Sequence, residues 1–402
     1  EAVLPLSPLQ EGFLFHALYD EGGVDLYITQ SPLEVRGGLR VEGMRAAAQA
    51  LVRRFAVLRT GFLQRRSGET VQVVAREVEV PWVEVDLSAL EGTARQQEEL
   101  ERLLAEDQAR RFDMAVPPLV RFMLVRLAAE RHVLVMTNHH ILLDGWSVPL
   151  VLEDLFALYA RGGDGGALAE VTPFTDYLGW LAERDQGAAE AAWRGVLAGL
   201  EEPTLVAPVD VGPGSAAPEM VVTELSPELT SALGAAARGA GLTVNTVVQG
   251  AWAVLLSRLT GRDDVVFGAT VSGRPSELSG VEDIVGLLMN TVPVRVRIDP
   301  ADSLSALLGR IQDQQTVLMD HAHLPLAKIQ QLAGFSRLFD TSTVFENMPM
   351  ESGVLGQDGD LQASLLRHHS GAGLMHFPLS LTAFPGPRLT LALSYQPDTF
   401  DR

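Results

Sequence analysis

HVLVMTNHHILLDGWSVPLVLEDLFALYA, residues 132–160, holds three local signals in one stretch. HVLVMTN is short, apolar and rich in β-branched side chains, which reads as a buried strand. SVPLVLEDLFALYA has apolar residues at helical spacing, with Ser147 as its candidate N-cap and Pro149 tolerated in the first turn. Between strand and helix stand two histidines, three apolar residues and an Asp-Gly turn. A polar loop between two rigid elements is where function concentrates.

Working outward, helix and strand signals alternate along the whole chain. Helical periodicity marks 41–55 and 96–110, and β-rich runs mark 71–78 and 120–127. A loose stretch rich in Pro, Gly and Ala at 201–218 separates a second series. That series has helices at 227–238, 244–259 and 304–320, and strands at 265–271, 292–298, 338–347, 376–384 and 388–395. Residues 353–373 hold five glycines and little periodicity, the pattern of a long excursion or lid. The fold class is α/β, as two α+β two-layer units of roughly equal size.

The chain has 402 residues, 31 Lys+Arg against 51 Asp+Glu, and a net charge of −20 spread over both halves. Such a surface argues against nucleic acid or anionic membranes as partners, since both call for concentrated positive charge. No apolar run reaches the roughly 18 residues of a membrane span, and the N-terminus lacks a signal-peptide layout. A cytoplasmic protein is expected. Zero cysteines exclude disulfides, thiolate metal sites and cysteine nucleophiles from this sequence. Lysine occurs once, at Lys328, beside abundant Ala and Gly, which suggests a GC-rich bacterial source.

Six of the nine histidines form close pairs: His139 with His140, His321 with His323, and His368 with His369. Adjacent strand residues point to opposite faces, so His139 and His140 cannot both ligate one metal ion. No metal site is expected. One working and one structural histidine is the functional reading: His140 projecting into a cleft, His139 turned inward. Asp144 opens the turn that Gly145 permits, and its carboxylate can bind a distant Arg. The Gly145 N–H, near the positive end of the next helix, can approach a carbonyl oxygen. His16, in the apolar LFHAL run, is expected in the core, and the other two pairs on the surface or in loops.

HHILLDGWS resembles the HHxxxDG signature of condensation domains from non-ribosomal peptide synthetases, in the superfamily of chloramphenicol acetyltransferase. Supporting segments follow in the family's order: LPLSPLQEGFLFHAL (4–18), RRFAVLRTGF (53–62, with Phe55 where the family usually has His), PFTDYLGWL (173–181), VSGRP (271–275), VGLLMNTVPVRVRI (285–298), HAHLPLAKIQ (321–330) and LFDTSTVFENMP (338–349). The resemblance covers essentially the whole chain and stops where family members usually continue into a final helix.

The resemblance implies two acetyltransferase-like lobes in a V with the active-site channel between them. Residues 1–178 form the N-terminal lobe carrying HHxxxDG. Residues 179–402 form the C-terminal lobe with VSGRP, the floor and latch crossover segments and VFENMP. It implies aminolysis of a thioester: an upstream acyl group on one carrier passes to the amine of a downstream aminoacyl carrier. His140 would serve as base, as stabiliser of the intermediate or as a positioning group, with Gly145 beside it. His139 and Asp144 would be structural, Arg274 the partner of Asp144, and Trp146, Asn290, Thr291, Glu346 and Asn347 would line the channel.

No cofactor belongs to the domain itself, because its substrates ride on the 4′-phosphopantetheine of partner carrier proteins. The implied partners are an upstream and a downstream peptidyl carrier protein and an adjacent adenylation domain, with this piece a monomeric excised domain. An epimerisation domain also keeps HHxxxDG, although VFENMP and LPLAKIQ fit condensation better. A catalytically inactive recruitment domain and a coenzyme A-dependent acyltransferase remain open.

Overall fold

The computed structural model describes residues 2–19, 25–207, 218–346, 356–358, 361–366 and 377–400, and the chain divides into two compact units. The first comprises Glu1–Ala182, Arg274–Leu288 and Met348–Gly373; the second comprises Glu183–Gly273, Met289–Asn347 and Leu374–Arg402. The expected boundary at 178/179 treats each half as contiguous. Contacts instead group two later segments with the first unit.

In the first unit the order is β1 (Ala2–Leu4), α1 (Pro8–Tyr19), β2 (Ile28–Arg36), α2 (Val41–Arg54), β3 (Thr60–Gln64), β4 (Thr70–Val74), β5 (Trp82–Asp86), α3 (Thr93–Ala109), β6 (Val120–Ala128), β7 (Arg131–His139), α4 (Ser147–Ala160) and α5 (Phe174–Ala182). The second unit runs α6 (Gln186–Leu197), β8 (Glu219–Glu224), α7 (Pro227–Gly239), α8 (Val244–Thr260), β9 (Asp264–Val271), β10 (Asn290–Arg297), α9 (Leu304–Leu318), α10 (Leu326–Ala333) and β11 (Thr341–Phe345). β12 (Gly356–Asp358) and β13 (Leu361–Leu365) belong to the first unit, and β14 (Leu379–Phe384) and β15 (Thr390–Tyr395) to the second.

The first unit's main sheet has the order β12-β13-β2-β7-β6-β5, antiparallel except between β5 and β6. β7 lies inside it, and all of His132 to His139 is buried, which explains why the run is apolar without alternating. Met123, Val125, Leu127, Val133 and Val135 face Leu100 and Leu104 of α3. A smaller sheet, β1-β4-β3, completes the unit.

β2 escapes a reading by propensity because Pro32 interrupts it and Thr29, Gln30 and Ser31 are polar. Its place beside β7 is nevertheless consistent with proline. The Pro32 carbonyl accepts the Leu366 N–H on the β13 side, so the missing N–H also faces that side, at the end of the β13 pairing. The ladder to β7 loses nothing. The glycine-rich stretch expected as an excursion contains β12 and β13, which extend this sheet.

The second unit's sheet has the order β10-β9-β11-β14-β15-β8, with β11 parallel to both β9 and β14. Val265, Phe267 and Ala269 pack under α8 and α9, whereas Val266 packs with α6 and α10. Both faces of β9 are therefore covered. Thr243 caps α8 by accepting the Thr246 N–H at 3.0 Å, and Gly261 ends it at φ 70°, where a side chain would be strained.

Candidate active site

β7 ends at His139, and the chain then turns to start α4. His139 is fully buried, with Nδ1 accepting the Ile141 N–H at 3.1 Å and Nε2 3.6 Å from Asp25 Oδ2. His140 lies half-buried. Its N–H donates to the Tyr27 carbonyl at 2.7 Å, and its ring meets Phe13 edge-on at 5.4 Å between centroids. Nδ1 is enclosed and has no hydrogen-bond partner, so Nε2 is the nitrogen on the open side of the ring.

Burial pushes the His140 pKa below its ordinary value, against the opposing pull of its own carbonyl, the Asp144 carboxylate and the Leu143 carbonyl. The ring is therefore neutral at neutral pH. With the ring proton on Nδ1, Nε2 would present its lone pair on the open side as a proton acceptor. Among the described residues no three His, Asp or Glu side chains converge to hold a metal ion.

Asp144 faces away from this chemistry. Its Oδ1 accepts from Ser147 N at 2.9 Å, Ser147 Oγ at 2.6 Å and Arg274 Nη2 at 3.1 Å, and its Oδ2 accepts from Leu288 N at 3.1 Å. The Asp144 and Arg274 side chains are both 4% exposed. Arg274 also donates through Nη1 to the carbonyls of Val281 at 2.5 Å and Ile284 at 2.9 Å. One buried carboxylate thus closes the turn after His140, starts α4 and fastens residues 274–288. The sequence placed Arg274 in the opposite lobe; the structure groups it with Asp144 in the first unit.

Two details of the turn differ from expectation. Ser147 is the first helical residue of α4, and the capping oxygen comes from Asp144. Gly145 does not adopt a positive φ, so the turn does not depend on left-handed backbone. Among the described residues its N–H makes no hydrogen bond, and the residue is half-exposed at the start of α4.

Trp146 is half-buried, donates its indole N–H to the Glu282 carbonyl at 2.9 Å and lies 5.5 Å from the Arg274 guanidinium carbon. It braces the clamp. Asn290, Thr291 and Glu346 belong to the second unit. The Asn290 amide is committed to backbone, donating to Ala322 at 2.8 Å and Leu324 at 3.0 Å and accepting from Thr291 N at 2.9 Å. Thr291 is buried, and Glu346 is half-buried with its N–H on the Ala383 carbonyl. Asn347, His368 and His369 lie outside the described residues.

Among the other histidines, His16 is half-exposed on α1 rather than in the core, its ring 6.0 Å from that of Tyr27. His323 lies in the turn between α9 and α10, a loop position as expected but a buried one, with Nδ1 3.2 Å from the Asp320 carbonyl. Phe55 is buried, and the neighbouring Arg59 binds the carbonyls of Val52, Ala75 and Arg76, so this motif holds the end of α2.

Several residues of the site carried no role in the sequence reading. Ser7 N donates to Gln10 Oε1 at 2.8 Å, a capping arrangement that the S-x-x-Q spacing of LSPLQEG signals. Ser7 Oγ then donates to the Leu287 carbonyl at 3.1 Å and Gln10 Nε2 to the Ile141 carbonyl at 3.1 Å. The Tyr177 hydroxyl donates to the Leu288 carbonyl at 3.0 Å. Asp25 and Gly286 offered no local signal.

A neutral imidazole on a rigid strand-to-helix turn suits a transferase that moves an already activated acyl group, where proton management and positioning are the main tasks. The chain belongs to the condensation domain family, whose model matches residues 1–402. Domains of this family form peptide bonds between carrier-bound substrates in non-ribosomal peptide synthetases. A linear gramicidin synthase of Brevibacillus parabrevis is 40% identical over the whole of this chain, which spans 5% of that relative's length.

Among solved structures, the first condensation domain of the calcium-dependent antibiotic synthetase matches at TM-score 0.78 and 22% identity, covering 100% of this chain and 93% of that one. The X-domain from teicoplanin biosynthesis matches at TM-score 0.84 and 24% identity, covering 99% and 90%. These two likenesses are of fold.

Proposed function

We propose that this domain condenses an upstream peptidyl or aminoacyl thioester with the amine of a downstream aminoacyl thioester, both on the phosphopantetheine arms of carrier proteins within an antibiotic- or siderophore-type synthetase. The amine nitrogen attacks the thioester carbonyl, the C–N bond forms and the C–S bond breaks. The upstream arm leaves as a thiol carrying the proton that the amine loses. His140 Nε2, neutral and on the open side of its ring, accepts a hydrogen bond or the proton from the amine, and the unbonded Gly145 N–H is available to the carbonyl oxygen. Asp144 and Arg274 hold the turn and take no part in proton transfer.

The observation that carries this reading is the enclosed Nδ1 of His140, which leaves Nε2 for the substrate. The test loads two carrier proteins with candidate aminoacyl groups and follows the product by mass spectrometry, with His140→Ala as control. A new amide on the downstream carrier is expected. Epimerised donor without an amide, equal rates with His140→Ala, or transfer from acyl-coenzyme A in place of the carrier would overturn it.

A further inference from the structure

Outside the histidine motif, one carboxylate is placed to govern both histidines. Asp25 precedes β2, with its side chain 3% exposed. Its Oδ1 accepts the Tyr27 N–H at 3.0 Å, and its Oδ2 lies 3.6 Å from His139 Nε2. Tyr27 passes the constraint on. Its carbonyl takes the His140 N–H at 2.7 Å, and its ring lies 4.2 Å from that of Phe13, which meets the His140 ring.

The surroundings of His139 fix where its proton sits. Nδ1 accepts from the Ile141 N–H, so a neutral ring carries its proton on Nε2, facing Asp25. The opposite tautomer would set two N–H groups against each other at Nδ1 and a lone pair against a carboxylate at Nε2. His139 is 0% exposed, and water cannot repair either loss. Burial alone would raise the Asp25 pKa; contact with His139, the Tyr27 N–H and the Arg111 charge outweigh burial and hold the carboxyl below its ordinary range. It is therefore ionised at neutral pH.

We propose that Asp25 is a positioning residue for His140: it locks His139 as the Nε2–H tautomer, preserves the His139–Ile141 contact that shapes the turn, and steadies Tyr27 beneath the His140 backbone. The inference rests on His140 being the group that meets the amine. Its two grips are separable. The His140-to-Tyr27 hydrogen bond continues the ladder between β2 and β7, which pairs Ile28 with His139, and it survives loss of the Asp25 charge. The tautomer does not.

Asp25→Asn is the informative variant because it keeps an oxygen for the Tyr27 N–H while offering His139 Nε2 an amide donor. With ¹⁵N-labelled histidine, the wild-type domain is expected to show a pyrrole-type Nε2 and a pyridine-type Nδ1 at His139, assigned against His139→Gln. Asp25→Asn should shift that ring toward the Nδ1–H tautomer and slow single-turnover condensation roughly 10- to 100-fold. Asp25→Glu should recover part of both, and in a His140→Ala background Asp25→Asn should cost little further rate.

An unchanged tautomer in Asp25→Asn, an altered tautomer with unchanged rate, or a full additional loss in the His140→Ala background would overturn the proposal. A wild-type domain that forms no amide in the same assay would overturn the condensation reading alone. The tautomer signal would then decide whether Asp25 holds His139.

Discussion

The Ser147 hydroxyl accepts the N–H of Gly286, 139 residues away, at 3.0 Å and lies 2.9 Å from the Gly286 carbonyl. One hydroxyl proton faces two acceptors here, and the 2.6 Å contact to the Asp144 carboxylate is the stronger claim on it. The Gly286 carbonyl keeps the Asp144 N–H at 3.0 Å. A single side-chain oxygen thus stands where the turn after His140 meets the returning segment.

Ser147→Ala would leave the Gly286 N–H and one Asp144 lone pair without a partner. A loss of about 1–3 kcal/mol in stability is expected, read as a lowered Tm, with a smaller fall in single-turnover rate than for His140→Ala. An unchanged Tm would show that the hydroxyl is dispensable.

Gly286 is required by space. A Cβ there would stand 2.3 Å from Phe174 Cδ2. Gly286→Ala should therefore destabilise by about 1–3 kcal/mol through overpacking, and Phe174→Leu in the same chain should return part of that loss. Additive effects in chemical denaturation would place the strain elsewhere.

Asp144→Asn removes the charge opposite a buried guanidinium and turns an N–H donor toward groups that need an acceptor. Breaking such a pair costs about 3–5 kcal/mol, and Arg274→Met should cost a similar amount, with the double variant losing less than the sum. Activity should fall with stability. An Asp144→Asn domain of wild-type Tm but low rate would give the carboxylate a direct chemical part.

His140→Ala should slow single-turnover amide formation by roughly 10²–10⁴-fold while changing Tm little, because the residue is half-exposed and its ring meets Phe13 only edge-on. Its pH signature has a definite sign. Burial lowers the folded-state pKa of His140 beneath its ordinary 6.5, so the unfolded chain takes up the proton first as pH falls. The stability contributed by neutral His140 is complete above about pH 6.5 and is lost as pH drops from there through the lowered folded value. His132 and His323, also pushed down by burial, add the same sign. Tm measured from pH 7.5 to 5.5 should fall, less steeply in His140→Gln.

Periodicity made β7, α4 and β9 legible, because their apolar runs report burial directly. β2 was hidden by Pro32 and its polar neighbours, whose compatibility with a strand depends on where β13 stops. Within the site, His139, His140 and Asp144 stand together in the sequence and could be read there. Asp25, Ser7 and Gly286 act through tertiary contacts 114, 280 and 139 residues long, which no local pattern encodes. Asn290 shows the converse: a polar side chain at a strand end is readily taken up by nearby carbonyls, and its residue type does not announce that commitment.

The strand β13 and the segment 274–288 give the first unit an unusual birth order. At roughly 5–20 residues per second of synthesis, Asp144 waits on the order of ten seconds for Arg274, 130 residues downstream, and β2 waits longer for β13. During that interval the nascent chain carries a carboxylate without its guanidinium partner beneath the histidine turn, and an open strand edge, both of which invite chaperones or misassembly. The same chronology sets a rule for recombining synthetases: a transplanted first unit has to bring residues 274–288 and 361–365 with it, since a cut after residue 182 would leave the unit permanently at its half-translated stage.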